Sequence, residues 1–176
     1  MNIEQIRQKI AYSPNAMPTQ KEATRNWLNS IHKDYPIALT LTLKQFIEIK
    51  NDRGAYFKRI DMDDIRRIAT HFQHKLNKQM FGCRGAKKYG KSLKYLMVIE
   101  GERTYKNLHI HMAIGGLPDY VKWSEIDTLV KNAKLRVAEL DEQHKVDIAG
   151  DSGWMGQYLT KELGMKDTDN VLWDLA

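Results

Sequence analysis

The chain has 176 residues, is 42% hydrophobic and 28% charged, and carries a formal net charge of +6. These values are ordinary for one globular domain with a sizeable core, and the positive charge favours an anionic partner such as nucleic acid. Cys83 is the only cysteine, which excludes an internal disulfide framework and is typical of a reducing cytoplasm. No apolar run is long enough to span a bilayer, and the first residues lack the apolar core of an export signal.

The first 35 residues are predicted to form a helical extension that packs on the core of a single domain covering residues 1–176. Thr19 and Glu22 have the spacing of a capping box, which predicts a helix from there to about His32. The apolar stripe of this helix comprises Trp27, Leu28 and Ile31.

The clearest strand pattern runs from Ile37 to Lys44. Alternate residues from Ile37 to Leu43 are aliphatic and predict a buried face, so Thr40, Thr42 and Lys44 lie on the other face. Small hydroxyls and a lysine suit contact with a nucleic-acid backbone, although threonine can equally keep a sheet face polar. Further on, the turn sequence at 51–54 predicts a small hairpin.

A long amphipathic helix is predicted after Asp61, which has the position of its N-cap. The apolar stripe is formed by residues at spacings of three and four: Ile65, Ile68, Phe72, Leu76 and Met80. A basic loop from Phe81 to Ser92, which contains three glycines, is predicted to follow the helix.

Basic residues are concentrated in this part of the chain. Between Ile65 and Ile99 there are nine Lys or Arg and no Asp or Glu, whereas the rest of the chain holds 19 basic and 22 acidic residues. A run of one sign favours a polyanion partner over a solvated helix face, because solvated faces normally mix both signs. The residues that we predict to contact DNA in this run are Arg84, Lys87, Lys88 and Lys91.

Five further elements are predicted in the second half of the chain. They are strands at 94–100 and 108–116, a helix capped by Ser124, a short strand at 145–149 and a last helix at about 152–163. The stripe of the helix after Ser124 comprises Ile126, Leu129, Val130, Ala133, Val137 and Leu140. The order strand, helix, strand, strand, helix, strand predicts an α+β, ferredoxin-like (RRM-like) fold of split βαβ topology. Both helices are expected on one face of an antiparallel sheet, which leaves the other face open.

A candidate metal site lies on the strand that carries two histidines. His109 and His111 share one face because successive strand residues point to opposite faces, and Glu100 can lie opposite His109 across the hairpin. Two imidazoles and one carboxylate would hold a divalent cation, with Mn²⁺ or Mg²⁺ suited to phosphate and Zn²⁺ or Fe²⁺ compatible by ligand type. The plainer interpretation is a pair of partly exposed histidines beside a solvated strand end.

The last predicted helix supplies a candidate nucleophile. Its apolar stripe comprises Met155, Leu159 and Leu163. Tyr158 lies beside that stripe, and Lys161 follows it three residues later on a neighbouring position of the helix surface. An ordinary boundary tyrosine would give the same pattern. Because this helix follows a strand of the same small sheet, we expect Tyr158 to be within reach of the metal site.

Three segments of the chain resemble, in their order and spacing, the motifs of the HUH endonucleases. They are most similar to those of the rolling-circle replication initiators of plasmids and phages. The segments are the strand at 38–42, the triplet at 109–111 and the helix segment at 158–162. The resemblance implies that His109 and His111 bind a divalent metal, with Glu100 as the third ligand and Glu102 as the alternative. It also implies that Tyr158 is the nucleophile and that Lys161 stabilises charge near the tyrosine and the phosphate.

The activity implied by this resemblance is metal-dependent nicking and joining of single-stranded DNA through a covalent 5′-phosphotyrosine, with no nucleotide cofactor. Trp154 and Glu162 lie one helical turn to either side of Tyr158, so the chain resembles the members with a single tyrosine. No helicase segment follows, which implies that a host helicase unwinds the DNA.

Three other interpretations fit parts of the pattern. A single-tyrosine transposase or relaxase would share every catalytic residue. A non-catalytic module for single-stranded nucleic acid would need stacking aromatic side chains on the open face, where the predicted strands offer threonine and histidine instead. A cupin-like metalloenzyme also uses a His-x-His pair, but it usually places an acidic ligand shortly after the pair, and the segment 112–117 contains none.

Overall fold

The computed structural model describes residues 19–52, 54–101 and 108–148, together with residues 155, 159, 160, 171, 172 and 175. Several sequence predictions lie outside these residues, namely Glu102, Tyr158, Lys161 and most of the last helix. Three helices are described: α1 (Gln20–Ile31), α2 (Met62–Lys88) and α3 (Ile126–Lys134). Six strands are described: β1 (Ile37–Leu43), β2 (Phe46–Asn51), β3 (Gly54–Arg59), β4 (Lys94–Glu100), β5 (His109–Gly115) and β6 (Leu140–Ile148).

Four strands form the main sheet, in the order β4-β5-β1-β6, and each neighbouring pair is antiparallel. Strands β2 and β3 form a separate hairpin between β1 and α2. Without this hairpin, the order from β1 through β6 is strand, helix, strand, strand, helix, strand. The predicted α+β fold with split βαβ topology is therefore confirmed, and so is the hairpin with its turn at 51–54.

The predicted capping box at Thr19 and the predicted N-cap at Asp61 are both present, and Asp61 also forms a capping box. The Thr19 hydroxyl accepts from the amide of Glu22, and the Glu22 carboxylate accepts in return from the amide of Thr19 at 2.8 Å. At the start of α2, Asp61 and Asp64 exchange the equivalent pair of bonds. These reciprocal bonds satisfy amide groups that have no partner within the first helical turn, which is why each helix begins where the sequence predicts.

The main core lies between one face of the sheet and helices α2 and α3. The predicted stripe of α2 is fully buried there, at Ile65, Ile68, Phe72, Leu76 and Met80. A buried amide side chain joins α2 to the sheet: the Asn77 Oδ1 accepts from the Leu93 amide at 3.0 Å and from the Tyr95 hydroxyl at 2.9 Å. Burial raises the pKa of Tyr95, so its hydroxyl stays protonated and remains a donor.

The opposite face of the sheet is partly covered, so the prediction of a fully open face is wrong. Leu28 of α1 packs there with Leu96, Val98 and Ala113, and two residues of the last predicted helix, Met155 and Leu159, belong to the same buried cluster. The physical reason is the composition of β4, whose residues from Tyr95 to Ile99 are apolar on both faces. A strand of this kind requires cover on both sides.

Three predicted boundaries also differ from the structure. Helix α2 continues through residues predicted to form a basic loop, as far as Lys88, with a kink at Gly82 (φ +70°, ψ 165°). Helix α3 ends at Lys134, so the predicted stripe does not continue along it, and Leu135 is 73% exposed. Strand β6 begins at Leu140, five residues before the predicted start.

Two close contacts complete the surroundings of the main sheet, one at the edge of β4 and one at the end of β5. Val171 forms an antiparallel bridge with Val98, and the Leu172 amide donates to the Met97 carbonyl at 3.0 Å, so part of the outer edge of β4 is paired. At the C-terminal end of β5, a Cβ on Gly115 would overlap the Asp34 carbonyl oxygen, which makes glycine necessary at this position. Within the described residues, no helix is long and apolar enough to cross a membrane.

Candidate metal centre

The two predicted histidine ligands lie on the partly covered face of the sheet, in two adjacent rows. The first row runs across the strands from Val98 through His111 and Thr40 to Lys145. The second row places Glu100 opposite His109, which in turn lies opposite Thr42. The predicted pairing of Glu100 with His109 across the hairpin is thus confirmed.

Glu100 reaches diagonally from its own row to the next histidine. Its Oε2 lies 2.7 Å from the Nε2 of His111, and both side chains are largely buried, with 12% and 5% of their surfaces exposed. A diagonal contact of this kind is within reach of a long side chain on an antiparallel pair. Because an ionised carboxylate can only accept, the His111 Nε2 carries the proton in this contact.

A threonine hydroxyl on β1 lies against the other ring nitrogen of each histidine. The Oγ1 of Thr40 is 3.1 Å from the Nδ1 of His111, and the Oγ1 of Thr42 is 3.2 Å from the Nδ1 of His109. Side chains that hold one ring nitrogen orient the other, which is the usual arrangement around a histidine ligand. In both rings Nε2 is therefore the nitrogen that faces away from the threonine, and in His111 it contacts Glu100.

This arrangement changes the interpretation of the β1 threonines. Thr42 is only 4% exposed, and both hydroxyls contact imidazoles, whereas the contact of Thr40 and Thr42 with a nucleic-acid backbone stays a prediction. The cause of the imidazole contacts is the register between β1 and β5, which places each threonine directly beside a histidine. Lys44 is exposed, and its ammonium group donates to the Ala138 carbonyl at 2.6 Å.

The donor types fit a hard or borderline divalent cation: two imidazoles, each with Nδ1 in contact with a hydroxyl, and one carboxylate. The geometry brings two of the three donors together. The rings of His109 and His111 are tilted by 39°, with centroids 6.2 Å apart. Within the part of the chain that the structure describes, no group of three or more His, Cys, Asp or Glu side chains has the spacing of a metal site. The structure thus shows a His111–Glu100 pair with His109 beside it.

In the segment that carries the predicted nucleophile, the structure describes Met155, Leu159 and Thr160. Met155 and Leu159 are fully buried in the cluster with Leu96 and Val98, on the same face as the histidines. Thr160 is also buried, and its hydroxyl accepts from the Nε of Arg25 on α1 at 3.4 Å. Met155 and Leu159 thus lie on the histidine face and Thr160 contacts α1, while Tyr158 and Lys161 are outside the described residues.

Two side chains near this centre have positions that the sequence did not predict. Lys145 lies in the row of His111, on the far side of Thr40, and pairs with Asp147 at 2.7 Å. Arg25 belongs to α1, whose Leu28 packs on this face, and its Nε donates to the Thr160 hydroxyl. Alternation along β6 places Lys145 on one of two faces, but only the register between strands shows that this is the histidine face.

The predicted DNA contacts Arg84, Lys87, Lys88 and Lys91 lie elsewhere. They follow the kink in α2, which packs on the opposite face of the sheet, next to the start of β4. Glu100 is at the other end of β4, six residues beyond Lys94, or about 20 Å along the strand. The basic residues and the histidines are therefore separated by the sheet and by most of its length.

No protein-family model, curated protein or solved structure matches the chain.

Proposed function

We propose that this protein is a metal-dependent endonuclease and strand transferase that nicks and rejoins single-stranded DNA, as a rolling-circle replication initiator does. The observation that carries the proposal is the His111–Glu100 contact beside His109, with the Nδ1 of each histidine against a threonine hydroxyl. Two imidazoles and a carboxylate on one face of the sheet are the donor types that suit a divalent cation bound to a phosphate.

In the proposed site, His109, His111 and Glu100 would hold Mn²⁺ or Mg²⁺, which when bound would stabilise the charge that develops on the scissile phosphate. A neutral His111 would bind the ion through Nε2 only with its proton on Nδ1. The Thr40 hydroxyl allows this tautomer, because it can donate to Nδ1 in one tautomer and accept from it in the other. Thr40 and Thr42 are therefore positioning residues.

Tyr158 is the proposed nucleophile. The phenol oxygen attacks the phosphorus in line and the bond from phosphorus to the 3′ oxygen breaks. The phenol gives its proton to solvent, the departing 3′ oxygen takes one from solvent to become a hydroxyl, and the 5′ phosphate remains attached to the tyrosine. Joining is the reverse attack by a 3′-hydroxyl, which needs no nucleotide cofactor because the phosphotyrosine conserves the bond energy. Lys161 is proposed to stabilise charge beside the tyrosine. The burial of Met155 and Leu159 on the histidine face supports this assignment.

The fold and the composition of this face argue against two of the other interpretations. A four-stranded sheet with helices α2 and α3 packed on it differs from the double-sheet jelly roll of a cupin. On the histidine face of β1, β4 and β5 there is no Phe, Tyr or Trp, so a stacking platform for bases lacks its main component. A transposase or relaxase would use the same residues, and the DNA site that it cleaves would distinguish it.

Strand separation would come from a host helicase, and the site of action would be the cytoplasm, where the exposed thiol of Cys83 remains reduced.

The test is incubation of the full chain with a pool of single-stranded oligonucleotides and Mn²⁺, followed by denaturing electrophoresis and sequencing of the attached DNA. We expect a covalent adduct that His111→Ala and Glu100→Ala abolish. The matched control is His144→Ala, because His144 lies on the other face of the sheet and contacts Asp127 at 3.2 Å. No adduct from the unmodified chain, or an adduct that survives loss of His111 and Glu100, would contradict the proposal.

A further inference from the structure

A second concave site lies on the helix side of the molecule. It is a cavity of about 490 Å³ between α2 and the segment that follows the kink at Gly82. The lining includes six basic side chains: His71, His74, Lys75, Lys78, Lys87 and Lys91. The first four lie on one face of α2 at helical spacing, and the kink brings the last two against them.

The kink and its anchors hold these two groups of lysines together. The positive φ of Gly82 redirects the chain, and the Lys91 amide donates to the Gly85 carbonyl at 3.2 Å, which closes the segment 85–91. Beyond it, the Leu93 amide donates to Asn77 on α2, next in sequence to Lys78. The cavity is thus built by backbone and core contacts and does not depend on the lysines themselves.

The charges in this cavity are unbalanced. No Asp or Glu lines it, and within the described residues none of the four lysines forms an ion pair. Lys75 and Lys78 are half-buried, so water screens them less than ordinary surface lysines. Like charges at three and four residues apart on a helix repel one another, and a concave site concentrates their field. An anion in the cavity removes this repulsion.

The other two cations of the same segment have different surroundings. The guanidinium carbon of Arg84 and the Nζ of Lys88 each lie 5.8 Å from the centre of the Tyr89 ring, and neither residue lines the cavity. The segment after the kink therefore has two cations in the cavity, Lys87 and Lys91, and two cations outside it.

We infer that this cavity is a phosphate-binding site, separate from the histidine centre. Several lysine ammonium groups around one concavity are suited to phosphate, which accepts several hydrogen bonds and carries more than one charge. The phosphate can belong to a nucleic-acid backbone or to a small phosphate compound. The inference does not rest on the proposed nicking activity, because the cavity lies across the sheet from His111 and needs no metal.

The test compares two double variants of the full chain in EDTA, where no metal contributes. Lys87→Gln/Lys91→Gln removes two charges from the cavity, and Arg84→Gln/Lys88→Gln removes two charges from the same segment outside it. The first probe is a fluorescent 20-mer of dT, whose binding is measured at several salt concentrations. The second probe is inorganic pyrophosphate, whose binding is measured as protection of lysines from a chemical acetylating reagent, read out by mass spectrometry.

If backbone phosphates occupy the cavity, the cavity variant should bind dT about tenfold more weakly than the control variant. The slope of the logarithm of its dT binding constant against the logarithm of the salt concentration should become shallower by about 1.4. This is about 0.7 for each of the two lost phosphate contacts with a single strand. If a small phosphate compound occupies the cavity, pyrophosphate should protect Lys75 and Lys78 from acetylation, and the cavity variant should lose this protection while dT binding stays equal. Equal dT binding by both variants, together with no protection by pyrophosphate, would overturn the inference.

Discussion

Replacement of Thr40 by valine tests whether the β1 hydroxyls orient the histidines. Valine keeps the β-branched shape that suits a strand and removes only the hydroxyl, which lies 3.1 Å from the Nδ1 of His111. His111 is 4% exposed, so water does not readily replace the lost contact. We expect the loss of this hydrogen bond to lower the free energy of unfolding by about 1 kcal/mol.

The effect on metal binding should be larger than the effect on folding. Loss of a group that orients a ligand typically weakens metal affinity by about 10- to 100-fold, which corresponds to roughly 1.4 to 2.7 kcal/mol. The measurement is titration of the full chain with Mn²⁺ by calorimetry, with urea unfolding as the measure of stability. Thr40→Ser keeps the hydroxyl and should retain most of the affinity.

The control for this experiment is Thr70→Val on α2. Its hydroxyl donates to the Arg66 carbonyl at 2.9 Å, so the chemical change is the same, but Thr70 belongs to a helix on the other face of the sheet. We expect unchanged Mn²⁺ affinity in this variant. If Thr40→Val binds Mn²⁺ as tightly as Thr70→Val does, the contact with Nδ1 does not orient the imidazole, and the reasoning is refuted.

Three further predictions concern the nucleophile, the core and the pH dependence of folding. Tyr158→Phe should abolish the covalent adduct with labelled DNA while single-stranded DNA still binds; a normal adduct yield would exclude Tyr158 as the nucleophile. Asn77→Ala should lower the free energy of unfolding by roughly 2 to 5 kcal/mol, because it leaves the Leu93 amide and the Tyr95 hydroxyl without their buried acceptor. The measurement is urea unfolding, and a loss below about 1 kcal/mol would contradict the prediction. The ammonium group of Lys58 lowers the pKa of Asp61 to about 2 in the folded state. The ion pair therefore stabilises the folded state fully above the unfolded pKa of about 4, and this stabilisation is lost as the pH falls toward 2. Asp61→Asn should therefore flatten the fall of the urea midpoint in that pH range, and an unchanged fall would show that the ion pair does not contribute.

Local features of the structure were predictable from the sequence because they depend on neighbouring residues alone. The capping boxes at Thr19 and Asp61 and the turn at 51–54 are set by spacings of a few residues. The stripe of α2 follows from helical periodicity. The order of these elements also leads to the split βαβ topology, since few arrangements of such an order bury their apolar faces.

Boundaries were less predictable where two patterns compete. Gly82 and the basic residues after it suggest a loop, yet the chain resumes a helix after one glycine with positive φ. Val137 and Leu140 continue the helical spacing of the α3 stripe beyond Lys134, although the helix ends there and Leu140 begins β6. Periodicity alone does not distinguish a helix that continues from one that ends and is followed by a strand.

Alternation along β5 was enough to place His109 and His111 on one face, and the order of the strands placed a carboxylate before them in a hairpin. Their surroundings followed from the folded arrangement: Thr40 and Thr42 lie against the rings, and Leu28 forms part of the cover. The folded arrangement also places the lysine cavity across the sheet from the histidines. The reason is that register and packing between distant segments depend on the fit of whole faces, and spacing along the chain does not encode that fit.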